Sequence, residues 1–137
     1  MRSLTRCDER GAAAVELAIV LPVLLLLIGG IVDFGRFFFL QIQLTNAARE
    51  GARAAIVSTG APVPGPAERA MAALPGLSSP PIQVAVNGCG GAALNASVTI
   101  TDPTYKWLLL GPALNMVGSG DFLPKNINAT AVMKCGG

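Results

Sequence analysis

A long run of apolar residues constrains this chain more than any other feature of its sequence. Residues 17–32 contain no charged side chain, and residues 12–40 hold only three ionisable ones, Glu16, Asp33 and Arg36. A helix needs about 20 such residues to cross the hydrocarbon core of a bilayer. The run therefore predicts one membrane-spanning helix over about residues 12–40, long enough to be tilted.

A secretory signal peptide is the alternative explanation of this run. Signal peptides carry a small-residue cleavage site of the A-x-A type directly after a shorter apolar core. No convincing site of that kind follows here, and the segment continues into further helical sequence. The flank before the run holds Arg2, Arg6 and Arg10 against two acids, which predicts a cytoplasmic N-terminus and an extracytoplasmic remainder.

The helical pattern continues beyond the predicted span. One face carries small and apolar residues at helical spacing, namely Leu44, Ala48, Gly51, Ala52, Ala55 and Ile56. We therefore predict a single helix over residues 12–58, with a kink or an opened turn at Pro22, which lacks a backbone N–H. Small side chains let another backbone approach closely. The sequence leaves open whether that backbone belongs to the chain's own head or to a partner.

The composition changes after this helix. Residues 59–66 are rich in Pro and Gly and predict a linker, and residues 67–137 predict a small head that starts with a short helix. Three runs in the head alternate as strands do, at residues 82–87, 98–101 and 126–135. Between the last two runs, residues 105–117 are predicted to be partly helical and to be broken at Gly111-Pro112. The predicted fold class is α+β, a long N-terminal transmembrane helix that continues into a small antiparallel-sheet head.

Two cysteines stand at the ends of predicted strands. Cys89 ends the first strand and Cys135 ends the last, so a disulfide would tie those ends together across 46 residues. On the loop-entropy model such a bridge stabilises the head by ~4 kcal/mol, and it agrees with an oxidising extracytoplasmic side. The pair could instead bind a metal, but two thiols in a chain without histidine make a weak site.

The sequence lacks what most catalytic and nucleic-acid functions require. It contains no histidine, so the usual general base and the commonest neutral metal ligand are missing. Its formal charge is +2, without the concentrated basic face that binds nucleic acid. The distal carboxylates fall in separate elements, at Glu50, Glu68, Asp102 and Asp121. We predict a protein that is not an enzyme, with no cofactor, no metal and no nucleic-acid partner.

Asp33 and Arg36 lie near the outer end of the predicted span. They are three residues apart and share a helix face, so they can form an ion pair at the membrane boundary. Such a pair commonly does no more than mark the end of a span. We take this routine interfacial pair as the interpretation.

Several motifs resemble the TadE-like pseudopilins of the tight-adherence (Tad/Flp) pilus system. They are RGAAAVE at residues 10–16, the Leu-Pro step at residues 21–22, DFGR at residues 33–36 and NAAREGAR at residues 46–53. The resemblance is close over residues 10–57 and loose over the head. It implies a pilin-like architecture with a prepilin leader, residues 1–11. A prepilin peptidase would cut after Gly11 on the cytoplasmic face and leave Ala12 as the mature N-terminus.

The same resemblance gives Glu16 a role as the fifth mature residue, the glutamate that pilin-like proteins use in processing and assembly. A carboxylate at the head of a membrane helix costs roughly 2 to 3 kcal/mol. A neighbouring subunit's ammonium group at Ala12 would offset that cost in a filament. Glu16 also lies in the first turn of the mature helix, where the helix dipole favours a negative charge, and both roles can hold together.

By this resemblance the protein is a minor, pilin-like component of a Tad/Flp-type pilus assembly and secretion system. It would sit in the bacterial cytoplasmic (inner) membrane as a single-pass protein with its head outside, or be incorporated into the pilus. The implied partners are the prepilin peptidase, other pilins and pseudopilins, inner-membrane assembly proteins and the lipid bilayer. A membrane-tethered extracytoplasmic binding module is the alternative, and it predicts a function that survives a block of cleavage at Gly11. A tethered hydrolase ranks third and requires a deep polar pocket with paired carboxylates.

Overall fold

A computed structural model describes residues 5–57, 65–74, 76, 82–90 and 93–136 of the 137-residue chain. The elements in chain order are α1 (Thr5–Val57), α2 (Pro66–Ala72), β1 (Gln83–Asn87), β2 (Asn95–Asp102), α3 (Leu110–Met116), a 3₁₀ turn (Gly120–Phe122) and β3 (Ile127–Lys134). The predicted α+β class is confirmed, because one long apolar helix precedes a three-stranded antiparallel sheet. Most of the predicted linker lies outside the described residues.

Helix α1 is long and apolar enough from Gly11 to Val57 to cross a membrane. Only 6% of its most apolar stretch is buried inside the chain, whereas the core helix of a water-soluble protein is mostly covered. The helix begins at Thr5, seven residues before the predicted start, because neither Pro nor Gly interrupts the sequence between Thr5 and Arg10. It continues through Pro22. The chain thus has one candidate single-pass membrane anchor among its described residues.

The chain divides into two compact units. The first, here called the span unit, joins Met1–Gly35 to Trp107–Phe122. The second, the head unit, joins Arg36–Lys106 to Leu123–Gly137. The division therefore runs within α1 and groups α3 with the apolar part of that helix, whereas the sequence-based partition put α3 in the head.

The head unit is built around β2. The sheet order is β1-β2-β3, and both pairings are antiparallel, with Val84 opposite Ile100 and Ile100 opposite Ala129. Alternate residues of β2 are buried, as expected for a strand with one face on a core. The helix face predicted from its small residues covers this sheet, and the buried set includes Leu44, Ala47, Ala48, Ala52, Ala55, Ala70, Val98, Ile100 and Ile127. The backbone that approaches the small residues therefore belongs to the chain's own head.

Two short helices differ from the sequence-based prediction at their first residues. Helix α2 starts at Pro66, a favoured first position for proline, and the Glu68 carboxylate accepts the Gly65 N–H at 3.2 Å. The predicted break at Gly111-Pro112 is wrong, because both residues lie in the first turn of α3. An N–H in the first turn has no intrahelical acceptor, so proline is tolerated there.

Candidate functional site

The residues predicted for processing and assembly lie on the exposed surface of α1. Gly11, Ala12 and Glu16 are all exposed, and a side chain added at Gly11 would meet nothing within 4 Å. The predicted cleavage bond lies inside the helix, so a peptidase that binds extended backbone must first open this turn. Glycine weakens a helix interior by about 1 kcal/mol relative to alanine, which makes Gly11 a favourable place for that opening.

Asp33 is a fully buried polar side chain of the span unit. Its exposed fraction is 0%, although it lies in an apolar helix. The Oδ1 atom accepts the N–H of Leu108 at 3.0 Å, and Oδ2 accepts the N–H groups of Leu109 and Leu110 at 2.8 Å each. One carboxyl group thus receives three backbone donors from the start of α3.

Apolar contacts surround this polar cluster. A Cβ placed on Gly29 would come within 2.9 Å of Leu109 Cδ1, so the absence of a side chain at Gly29 lets Leu109 approach the helix. The rings of Phe34 and Trp107 meet edge to face, with centroids 5.5 Å apart. Two turns of α1 therefore present a small residue, an acceptor and an aromatic ring to the segment that begins at Trp107.

Asp33 and the start of α3 satisfy each other's hydrogen-bonding requirements. A buried carboxyl group is costly without donors, and the first N–H groups of a helix have no intrahelical acceptor. Their pairing gives the Asp33 oxygens three donors and gives an acceptor to the N–H groups of Leu108, Leu109 and Leu110. Spacing along the helix suggested Arg36 as the partner of Asp33. It could not indicate these three donors, because they lie 75 to 77 residues away in sequence. The pairing of Asp33 with Arg36 stays a prediction.

The NAAREGAR motif at residues 46–53 separates into two faces. Its small face is buried in the head unit, where a Cβ on Gly51 would lie 2.9 Å from Ala70 Cβ and 3.1 Å from Val98 Cγ1. The other face is exposed and carries Asn46, Arg49, Glu50 and Arg53, which follow one helical stripe. The small face packs within the head unit, and the polar face is accessible to other molecules.

The head unit also contains a groove of about 530 Å³. Its lining comprises Arg36, Phe39, Leu40, Gln43, Gly76, Asp102, Thr104, Tyr105 and Lys106. Asp102 Oδ1 accepts both the N–H and the hydroxyl of Thr104 at 2.9 Å, so this carboxylate is engaged in a local turn. This lining presents no pair of carboxylates for hydrolysis. Within the described residues, no group of three or more His, Cys, Asp or Glu could hold a metal ion.

Cys89 and Cys135 are joined by a disulfide bond in the head unit. They follow β1 and β3, the two outer strands of the sheet. The bond therefore connects the strand ends on either side of β2.

The exposed apolar helix, the acid at position 16 and the two-faced motif all lie within the first 57 residues. Residues 11–53 match the family model described as TadE-like protein. The resemblance recognised from the sequence is thereby confirmed over these residues. The TadE-like segment starts at the predicted cleavage residue and ends with the NAAREGAR motif. It includes Asp33 but not Leu108, Leu109 and Leu110, whose N–H groups donate to Asp33.

A comparison with curated proteins gave no match, and a comparison with solved structures gave none either. The TadE-like match covers 43 of the 137 residues, all of them in α1.

Proposed function

We propose that this protein is a minor, pseudopilin-like component of a Tad/Flp-type pilus assembly and secretion system, cleaved by a prepilin peptidase after Gly11. The observation that carries the proposal is the TadE-like match, which begins at Gly11 and covers the apolar helix. The further partners are other pilins and pseudopilins and the assembly proteins of the inner membrane. The role is one of subunit contact and needs no catalytic group.

The proposed orientation puts the N-terminus in the cytoplasm and the head unit outside the bacterial inner membrane. Three arginines precede the apolar run, and positive charge favours the cytoplasmic side. The disulfide between Cys89 and Cys135 supports the same orientation, because disulfides persist on the oxidising side of that membrane.

The proposed assembly mechanism uses the exposed carboxylate of Glu16. Cleavage after Gly11 creates an ammonium group at Ala12, and Glu16 lies one helical turn further along. In a bundle of such helices, the Glu16 carboxylate of one subunit meets the Ala12 ammonium of the next. Each charge then lowers the cost of burying the other in an apolar environment. The pairing sets the axial register between neighbouring subunits.

The test combines processing with assembly. N-terminal sequencing of the membrane-inserted protein should return Ala12, which leaves 126 residues of the original 137. Glu16→Ala should insert normally and be found much less with pilus components, because Ala12 of the neighbour loses its partner. Glu68→Ala is the control, since it removes an exposed acid that lies outside α1. A mature protein that begins at Met1 would refute the processing step. Normal piliation with Glu16→Ala would refute the assembly step.

A membrane-tethered binding module is the second candidate function. The groove between Arg36 and Lys106 favours it, since its lining combines cations with aromatic and apolar side chains. That function would not depend on cleavage. A Gly11→Leu protein that stays unprocessed and still performs the cellular role would favour the binding module over the pseudopilin.

A further inference from the structure

We propose that the segment Trp107–Phe122, here called the α3 segment, is a second membrane contact. It would lie in the lipid at the outer boundary of the bilayer, beside the end of the transmembrane part of α1. This inference goes beyond a pilus role and rests on the proposed membrane insertion of α1.

The position of the α3 segment along α1 supports this depth. A helix rises 1.5 Å per residue, so about 20 residues cross the hydrocarbon core. Counted from Ala12, an untilted helix would leave the core near Ile31, within the predicted span of residues 12–40. The α3 segment contacts α1 at Gly29 and Gly30 and at Asp33. The contact therefore lies in the outer part of the predicted span.

The composition and exposure of the α3 segment fit lipid. Its one charged residue is Asp121. Several large apolar side chains are exposed, and their exposed fractions are 58% for Leu108, 51% for Leu109, 90% for Met116, 78% for Val117 and 86% for Phe122. Such a concentration on 16 residues is unfavourable in water and typical of a surface that meets another apolar phase.

Several backbone N–H groups of the α3 segment have acceptors within the chain, as an environment with little water requires. Asp33 accepts the N–H groups of Leu108, Leu109 and Leu110. At the chain reversal after α3, the N–H groups of Val117 and Ser119 donate to Leu114 O, and that of Gly118 donates to Asn115 O. Lipid offers no acceptors for unpaired amides, so non-helical backbone at membrane depth requires such internal partners.

Lipid is the occupant that the span unit itself indicates. The exposed apolar surface of α1, from Leu17 to Ile28, belongs to the same unit as the α3 segment. A bilayer that surrounds one of these surfaces reaches the other without a new partner. Trp107, which packs on Phe34, is of the residue type enriched at membrane interfaces.

The chain contains a single tryptophan, which makes depth measurable by fluorescence. We would reconstitute the full chain in phosphatidylcholine vesicles whose acyl chains carry bromine near the headgroups or near the chain ends. The tryptophan is moved with the pair Trp107→Phe and Met116→Trp. Two reference variants place it at Leu25 in the apolar helix or at Leu94 in the head unit, where Leu94 is 81% exposed.

The Met116→Trp protein should lose most of its emission to bromine near the headgroups and little to aqueous acrylamide. Wild-type Trp107 should show the same preference, which tests the proposal without any substitution. The Leu25→Trp reference should respond to deep bromine and the Leu94→Trp reference to acrylamide.

Strong acrylamide quenching of the Met116→Trp protein without bromine quenching would place the α3 segment in water and overturn the proposal. Protection from both quenchers would show that protein covers the segment, either a second copy or another subunit, and would also overturn it. If deep bromine quenches the Leu25→Trp reference in these cases, membrane insertion of α1 stands and only the lipid contact fails. An unquenched Leu25→Trp reference would overturn both.

Discussion

Replacement of Asp33 by alanine gives the sharpest test of the cluster that joins α1 to the α3 segment. The substitution removes the acceptor of three backbone N–H groups. Each buried donor left without an acceptor costs about 1 to 3 kcal/mol. The sum is at most about 3 to 9 kcal/mol, which is large for the contacts that hold a 16-residue segment. We expect the α3 segment to detach from the helix in the Asp33→Ala protein.

Asparagine at the same position gives a graded result. Its one carbonyl oxygen can replace Oδ2 and keep the donors of Leu109 and Leu110, while its amide group then faces the N–H of Leu108. One bond is lost instead of three, at a cost of about 1 to 3 kcal/mol. Because every 1.4 kcal/mol is a tenfold change in an equilibrium, local opening should increase about five- to 150-fold with Asp33→Asn and far more with Asp33→Ala.

The assay is amide hydrogen exchange of the full chain in a bilayer, read on peptides that cover residues 108–117. Protection of the Leu108, Leu109 and Leu110 amides should fall in the order wild type, Asp33→Asn, Asp33→Ala. The emission of Trp107 should shift to longer wavelength in the same order. Glu16→Ala is the control, since it removes an exposed acid from the same helix. Unchanged protection of these three amides in the Asp33→Ala protein would refute the argument.

Three further predictions concern the head and the leader. Cys89→Ser and Cys135→Ser should each lower the free energy of unfolding of the head by up to ~4 kcal/mol. The double variant should lower it by little more, because all three variants remove one shared bond. Chemical denaturation measures these free energies, and additive losses would contradict the prediction. Gly51→Leu should destabilise the head by about 1 to 3 kcal/mol through overpacking. Gly35→Ala should instead stabilise α1 slightly, because a Cβ at Gly35 meets nothing within 4 Å. Thermal unfolding measures both effects. Gly11→Leu should block processing, since the peptidase must approach the backbone closely there, and cleavage at the normal position would argue against that requirement.

The parts of this fold that follow local periodicity could be predicted from the sequence. Alternation along a strand and the spacing of small residues along a helix depend on neighbours within a few residues. The strand runs and the buried face around Ala48 and Ala52 were therefore found. The start of α3 was not, because Gly111-Pro112 reads as a break unless the chain before it already forms a first turn.

The partners of Asp33 could not be predicted for a different physical reason. Its hydrogen bonds join parts of the chain that lie 75 residues or more apart, and no periodic signal records such a pairing. A signal did exist in retrospect. An acid in an apolar helix requires donors, and the uncharged segment Trp107–Leu110 leads into a helix start, where spare N–H groups occur. The roles of Gly11, Ala12 and Glu16 could not be derived from periodicity either, because these roles depend on other proteins.

The occupied small face of the NAAREGAR motif restricts how two copies can associate. Between residues 43 and 56, the exposed side of α1 bears Asn46, Arg49, Glu50 and Arg53, so a neighbour that meets this stretch does so through hydrated ions. Such contacts weaken as salt shortens the Debye length, which is ≈ 8 Å at physiological ionic strength. Copies held together here would exchange readily and respond to the ionic strength of the medium. Under the proposed function, this face would allow reversible placement of the subunit during assembly, and the apolar surface of α1 would supply the permanent contacts within the bilayer.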